Sequence, residues 1–312
     1  MNISGYSDWK DTATGIHMVT QMMGKTKLAR LDPQPEWNHI VLELTAQGFS
    51  TGLIPYGDKS FSVDLHIREG RVMATGMDGR SSSFVFESGL SVSEYYGQFN
   101  RMLADVMCET EMYAVPQEVA FTTPFDKHSD KLGYDGRKAL DFYRMCVFAR
   151  NAILRFLSPF RNKKMLPAFF WGTFDTTGIL FSGKSKPFAE TAGGGGVIER
   201  VAFDEEMIEF GFWPGDDKFN DPAFFILPYP FLQKDLSGAP IQPEKAWYSP
   251  EKAEFFLKMS DLVSTDHPEE KLHDFFSSGY KIVSRTQNWE NLGWFELPLL
   301  TEKGSEALRR AG

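Results

Sequence analysis

The sequence predicts an α+β protein of two similar halves, each comprising a helix, a five-strand antiparallel meander and a second helix. Three observations lead to this prediction. Apolar residues recur at helical spacing over residues 8–31 and again over residues 135–157. A series of short runs rich in β-branched and aromatic residues follows each helix. The turn signals between these runs, such as Asp78-Gly79, leave too few residues for crossover connections, so neighbouring strands are expected to be antiparallel.

In the first half, the helix over residues 8–31 has Ser7 as its expected N-cap. A second helix is expected to open at Ser91, because Glu94 follows three residues later and completes a capping-box pattern. This helix should end near Val106. Five strands are expected between the two helices, at residues 39–46, 51–56, 61–67, 71–77 and 82–87.

The second half repeats this order from the helix over residues 135–157. Its five strands are expected at residues 167–174, 177–182, 197–203, 207–213 and 223–229. A helix is then expected to open near Ser249-Pro250-Glu251, where proline suits the first turn, and a further helix to span residues 269–283. We therefore divide the chain into residues 1–130 and residues 131–312. The two halves could pack tightly enough to form one domain.

The two halves also share residues at one constant offset. Thr51-Gly52-Leu53 aligns with Thr177-Gly178-Ile179, and Gly57 aligns with Gly183. The matches fall at equivalent points of the helix-plus-meander plan, so we predict a tandem duplication arranged about a pseudo-twofold axis. The alternative is two unrelated segments that share only glycine-rich turns.

Composition limits the class of protein. The chain has 312 residues, a formal net charge of −9 and 28 phenylalanines, so it should fold around a large aromatic core. The negative charge argues against nucleic acid or an anionic membrane as the partner. Cys108 and Cys146 lie in apolar helical patterns, which is typical of reduced buried thiols. With no signal peptide or membrane span apparent, we expect a cytoplasmic protein, and a homo-oligomer remains open.

The stretch GILFSGKS, residues 178–185, matches the phosphate-loop pattern of nucleotide-binding proteins. A phosphate loop opens a helix, but a Lys-Pro step and four glycines follow here, and the aligned stretch of the first half is GLIPYGDKS, residues 52–60. We therefore interpret residues 178–185 as a strand and turn. Nucleotide binding is kept as an alternative because the pattern is complete.

The first helix carries polar residues at four-residue spacing, namely His17, Gln21 and Lys25. The aligned positions of the second half have different chemistry, as does Asp175, which aligns with Phe49. Halves that agree in plan and differ in polar residues suggest one asymmetric site. The alternative is that the polar stripe of the helix is simply solvated.

Several motifs resemble a bacterial family of uncharacterised proteins, a domain of unknown function, over nearly the whole chain. They are Trp9-x-Asp11-Thr12, His17, Thr20-Gln21-x-x-Gly24-Lys25, Thr51 with Ile54-Pro55-Tyr56-Gly57, Pro124-Phe125-x-x-His128, Phe170-Trp171-Gly172-x-Phe174-Asp175, Phe181-Ser182-Gly183, Gly211-Phe212-Trp213-Pro214-Gly215, and Ala223-Phe224 to Tyr229-Pro230. The resemblance implies no established activity. Related chains often have arginine after the Phe-Ser-Gly step, and they are expected to have histidine at Glu205 and tyrosine at Leu227.

The first functional hypothesis is a small-molecule-binding protein, with a pocket between the halves, that could be an enzyme. His17 and Asp175 are the candidate catalytic bases, and Gln21 and Lys25 are candidate substrate contacts. The hypothesis requires one cavity reached by at least three of these four residues. No metal-ligand spacing is visible, so we predict no metal, and the cofactor is unknown.

Aromatic walls for this pocket are expected from Tyr56, Trp171, Trp213 and Tyr229, although each could equally pack in the core. The second hypothesis is a non-catalytic interaction or structural module. It predicts a large exposed apolar patch and no enclosed polar pocket.

Overall fold

The computed structural model describes residues 3–188 and 196–299, and this part of the chain folds as an α+β protein. The predicted fold class is therefore confirmed. The seven α-helices of these residues are α1 Lys10–Leu28, α2 Val92–Asp105, α3 Gly136–Leu157, α4 Val197–Ala202, α5 Met259–Val263, α6 Pro268–Thr286 and α7 Leu292–Phe295.

The first sheet has six antiparallel strands, five of which form a path in the order β1-β2-β4-β5-β6, while β3 pairs with β4. The strands are β1 Glu43–Leu44, β2 Gly48–Ser50, β3 Ile54–Tyr56, β4 Lys59–His66, β5 Arg71–Gly76 and β6 Ser81–Val85. Two short strands, β7 Leu90–Ser91 and β8 Lys131–Leu132, form a separate pair.

The second sheet also has six antiparallel strands, in the order β13-β14-β12-β11-β10-β9. Its strands are β9 Lys164–Phe170, β10 Asp175–Ser185, β11 Glu205–Trp213, β12 Ala223–Tyr229, β13 Trp247–Ser249 and β14 Glu254–Lys258. Leu42 forms an antiparallel bridge with Phe169 of β9, with N–H to O distances of 2.9 and 2.8 Å. The edges of the two sheets therefore meet at this bridge.

Helix α1 lies at the centre of the molecule. Between Thr12 and Lys27 only Thr14 and His17 are not fully buried. A helix enclosed on every side must satisfy its polar side chains internally. Gln21 and Lys25 of the polar stripe are thus buried and His17 is partly buried, which decides against the solvated stripe left open by the sequence.

One hydrophobic core extends through both halves. The second sheet contributes one face to this core through alternating residues such as Phe210, Phe212 and Phe224, which pack towards α3 and α6. The opposite face of the same strands carries the candidate functional site described below.

Local signals in the sequence locate helix starts well. Ser91 and Glu94 form the predicted capping box of α2, with Glu94 N–H donating to Ser91 Oγ. Asp135 caps α3 by accepting from Arg137 N–H and Lys138 N–H. Helix α1 is the exception, since it begins at Lys10 after Trp9, two residues later than a Ser7 cap would place it.

Two predicted elements of the second half are wrong. Residues 197–203 alternate like a strand, but residues 197–202 form helix α4, in which Ile198 and Ala202 lie one turn apart and both line the cavity described below. The helix expected to open near Ser249 is replaced by a turn and strand β14, which pairs with β12 and β13. Tertiary pairing overrides the helix propensity of these residues.

The phosphate-loop interpretation is also decided by the fold. Gly178–Ser185 forms most of β10, an antiparallel strand between β9 and β11, and no helix follows directly. Lys184 Nζ contacts Asn288 O at 3.2 Å and Glu290 Oε1 at 3.3 Å. A phosphate loop needs free N–H groups at a helix N-terminus, and this strand lacks that geometry.

Each half follows the order of a helix, an antiparallel sheet and further helices, but each sheet has six strands instead of five, and helix α4 lies between β10 and β11 of the second sheet. A tandem duplication would produce this order and remains a prediction. None of the helices in the described residues is both long and apolar enough to cross a membrane.

Candidate functional site

A cavity of about 450 Å³ lies on the face of the second sheet that points away from α3 and α6. Segments of residues 1–130 cover part of it: Leu28, Glu36, Trp37, Ile40, Val41, Gln117 and Glu118. Helix α4 and the 171–173 turn complete the walls. The cavity is large enough for a small organic molecule.

The floor of the cavity is set by strand register. Glu209 of β11 lies opposite Ile179 of β10 and Leu227 of β12, and all three side chains line the cavity. Phe225 takes the next position along β12, opposite Gly211. A Cβ at Gly211 would lie 2.1 Å from the ring of Phe225, so only glycine leaves room for this aromatic floor.

Helix α4 and the segment after α1 are tied together at the rim. Trp37 Nε1 donates to Ile198 O at 2.9 Å. Glu36 and Trp37 both have positive φ, 50° and 55°, a conformation that non-glycine residues adopt at a cost. Glu36 is buried and lies 3.6 Å from Lys163 Nζ.

Gln117 is held over the cavity by two residues of α1. Its N–H donates to Gln21 Oε1 at 2.9 Å, and its carbonyl accepts from Gln21 Nε2 at 2.7 Å. Lys25 Nζ donates to Gln117 Oε1 at 3.2 Å. This clamp fixes the position of Glu118, which has a φ of 55° and packs against Gly172.

His17 holds the opposite wall. Its Nε2 lies 2.8 Å from Trp171 O and 3.1 Å from Gly172 O, so Nε2 carries the hydrogen and donates to these carbonyls. Burial lowers the pKa of His17 to about 4, and the two carbonyls oppose this only in part. The imidazole is therefore neutral at pH 7 and stacks on Phe174 with ring centroids 4.4 Å apart.

Burial dominates the electrostatics of the floor. It raises the pKa of Asp175 well above its ordinary value, and the nearby Glu209 raises it further. Burial likewise raises the pKa of Glu209 to about 7, although Thr177 opposes the shift. Glu254 follows the same rule, with a pKa of about 7 from burial and from repulsion by Glu209. Glu209 and Glu254 can therefore exchange protons near neutral pH.

Acidic residues far outnumber basic residues in the described lining of the cavity. Asp175, Glu209 and Glu254 lie on the floor, and Glu36, Glu118, Glu199 and Asp216 lie around the rim. Lys252 is the one basic residue among the described lining residues, and its Nζ lies 5.6 Å from the centre of the Trp213 ring. No three potential ligands among the described residues are placed to hold one metal ion.

Three of the eight predicted site residues line the cavity, namely Trp171, Trp213 and Asp175. Of the four polar residues in the original hypothesis, only Asp175 reaches it, so the required convergence of three is not met. His17, Gln21 and Lys25 instead lie behind the walls, where they bind the backbone or side chains of lining residues.

The two predicted tyrosines lie outside the lining. Tyr56 packs in the first half, with the Arg30 guanidinium 4.5 Å from its ring centre. Tyr229 packs on the cavity residue Phe203 with ring centroids 4.7 Å apart, and its hydroxyl donates to Lys186 O at 2.8 Å. Tyr229 supports the wall of the cavity, whereas Tyr56 does not contribute to it.

Sequence reasoning missed most of the carboxyl groups. Glu209 interrupts the otherwise apolar run MIEFGFW, and Glu254 opens the apolar run EFFLK. A charged residue inside a strand that is apolar on both faces is a usable signal of a buried polar site. Glu36 lies in a short 3₁₀ helix, Pro35–Trp37, and Glu118 in an irregular segment, and both come close to the sheet only through tertiary folding.

The fold and site define an α+β protein with an aromatic and acidic cavity on its second sheet. Residues 3–294 match the model of the Family of unknown function (DUF5996), and the chain belongs to this family. The resemblance noted from the sequence motifs is thus confirmed. Comparison with curated proteins gives no match, and comparison with solved structures gives none either.

Proposed function

We propose that this protein binds a small organic molecule in the cavity on the second sheet. The observation that carries the proposal is the cavity itself, whose volume of about 450 Å³ suits a metabolite-sized ligand. Its walls combine apolar surface with a few polar groups that can orient a bound molecule. This combination is typical of specific ligand sites.

The walls are aromatic and come from several elements. Trp213, Phe225 and Phe256 lie on the sheet, Phe203 follows α4, and Trp37 comes from the first half. Flat rings offer a large contact area at a low cost in conformational entropy. A ligand with an apolar body would displace weakly held water from these surfaces.

Backbone strain supports the same conclusion. Eight non-glycine residues of the described chain have positive φ, and Glu36, Trp37 and Glu118 of this group line the cavity. Strained residues persist where the surrounding structure enforces them, and they concentrate at functional sites. Their grouping here, on two separate segments, points to a rim whose shape is under constraint.

Catalysis is the second candidate function, favoured by Asp175 and Glu209. Asp175 is buried and Glu209 half-buried, and Glu209 raises the proton affinity of Asp175, so the two carboxyl groups can act as a general acid and a general base. Once a ligand is known, its turnover can be followed in the wild type and in Asp175→Asn. Binding without turnover would leave the first function and remove the second.

A thermal-shift screen against a metabolite library tests ligand binding. A ligand present at 100 times its Kd should stabilise the folded state by about 2.7 kcal/mol. Ala202→Trp, which adds an indole to the cavity wall, should abolish the shift. Ala104→Trp, at an exposed position of α2, is the matched control and should retain it. Failure of every compound to shift the wild type, or equal shifts in both variants, would contradict the proposal.

A further inference from the structure

We propose that the ligand of this cavity carries a cationic amine or quaternary ammonium group, bound among the carboxyl groups of the sheet floor and the aromatic rings around them. The inference rests on the proposed function and names the chemical class of its ligand. Three independent features of the cavity support it: its charge, its aromatic walls and a buried carboxyl oxygen of Glu36 that lacks a hydrogen-bond donor.

The charge of the lining selects a cation. Seven lining residues carry carboxyl groups, whereas Lys252 is the one basic residue among the described lining residues. In a site of reduced dielectric constant, this excess makes binding of an anion unfavourable and that of a cation favourable. Asp175, which is 8% exposed, receives a hydrogen bond from Thr173 at 2.7 Å and has no cationic partner among the described residues.

The aromatic walls select an organic cation. Trp213, Phe225 and Phe256 lie on the same face of the sheet as Asp175 and Glu209. The face of an aromatic ring attracts an ammonium group within about 6 Å of its centre. The site already uses this interaction, because Lys252 Nζ lies 5.6 Å from the centre of the Trp213 ring.

Glu36 supplies the third feature. This lining residue is 6% exposed, and its Oε1 accepts no hydrogen bond from any described residue. Lys163 Nζ lies 3.6 Å away, beyond hydrogen-bond distance. Glu36 is therefore ion-paired with Lys163, but its Oε1 is buried without a hydrogen-bond donor, which is costly, and a donor from a ligand would remove that cost.

A metal ion fits these carboxyl groups poorly. In the described part of the chain no three of them converge on one point that could hold a metal. Hard cations need several oxygen ligands at short distance and gain little from aromatic walls. An extended organic cation can contact separated carboxyl groups and rings at the same time.

A matched set of probes tests the charge preference directly. Tryptamine, tryptophol and indole-3-acetate share the indole ring system and carry an ammonium, a neutral hydroxyl and a carboxylate group, respectively. We expect tryptamine to bind at least tenfold more tightly than tryptophol by isothermal titration calorimetry at pH 8, and indole-3-acetate to bind most weakly. A tenfold difference corresponds to about 1.4 kcal/mol.

Two double variants test whether the preference for a cation arises at the floor of the cavity. Asp175→Asn with Glu209→Gln should lower the affinity for tryptamine at least tenfold. The affinity for tryptophol should not change, because the substitutions remove only the charge of the floor. The exposed pair Asp126→Asn with Glu251→Gln makes the same change in net charge elsewhere and should leave both affinities unchanged.

The outcomes separate this inference from the proposed function. If tryptophol or a neutral library compound binds as tightly as its amine counterpart, the cation preference is wrong and ligand binding stands. If amines bind but the floor variants have no effect, the assigned site is wrong. If neither the probes nor the library bind, both the inference and the proposed function are wrong.

Discussion

Gly24 of α1 lies directly against the indole of Trp171, since a Cβ at Gly24 would be 1.9 Å from Trp171 Nε1. The same indole donates to Ile40 O at 2.9 Å and lines the cavity. The buried central helix therefore sets the position of the cavity wall. This relationship explains how Gly24, which does not line the cavity, still affects its shape.

Replacing Gly24 with alanine should displace Trp171. Because the neighbouring ring is held by packing and by a hydrogen bond, we expect a loss of about 1–3 kcal/mol in the free energy of unfolding, measured by urea denaturation. Gly97→Ala is the matched control, since a Cβ at this exposed helical position meets no atom within 4 Å. It should stabilise the protein by up to about 1 kcal/mol. Equal effects of the two substitutions would contradict the account.

His17 should make the protein sensitive to acid. Its pKa is about 4 when folded and 6.5 at its ordinary value, so the unfolded chain binds the proton more readily between these pH values. The stability contributed by neutral His17 is present at pH 7 and is lost as pH falls from 6.5 to 4, by roughly 2–3 kcal/mol. His17→Gln, which can still donate to the same carbonyls, should remove this part of the pH dependence in urea unfolding at pH 5 and 7. If His17→Gln leaves the difference in unfolding free energy between pH 5 and pH 7 unchanged, His17 is not buried as a neutral group.

Glu209 should contribute a pH dependence of stability opposite to that of His17. Its pKa rises from 4.5 to about 7 on folding, so the folded state holds this proton more tightly. Its contribution to stability is present below pH 4.5 and is lost as pH rises through about 7. Glu209→Gln should therefore be more stable than the wild type at pH 8, by at least about 1 kcal/mol, and the difference should shrink at pH 5. The exposed substitution Glu251→Gln controls for a change in net charge, and a Glu209→Gln variant less stable than wild type at pH 8 would refute the prediction.

Lys184 should have no role in nucleotide binding. Its side chain contacts Asn288 and Glu290 across the surface, and its backbone lies in strand β10. Mg-ATP should leave the thermal midpoint of the wild type unchanged, and Lys184→Ala should change stability by less than about 0.5 kcal/mol. A midpoint shift with Mg-ATP that disappears in Lys184→Ala would restore the phosphate-loop interpretation.

The sequence predicts elements best where the signal is local. The capping box at Ser91 and the cap at Asp135 each satisfy helix N–H groups within a few residues, so their effect does not depend on distant contacts. Helix α4 and strand β14 are different. Helix α4 packs on residues 35–37 and strand β14 pairs with β12, and the local sequence pattern contains neither contact.

The candidate site divides in the same way. Local motifs locate Trp171, Asp175 and Trp213, which lie in the 171–173 turn, at the start of β10 and at the end of β11, and all three line the cavity. The four-residue spacing on α1 indicates that His17, Gln21 and Lys25 act together. Spacing alone does not show whether they line the cavity or support the lining residues from behind. Their targets, Gly172 and Gln117, lie more than ninety residues away in the chain.

A crystal structure of the protein soaked with the amine that gives the largest thermal shift is the most direct test of the central claim. The account predicts ordered density on the face of the second sheet, with the ammonium group near Asp175 and Glu209 and the apolar body against Trp213 and Phe225. Density at any other surface, with this cavity empty, would contradict it.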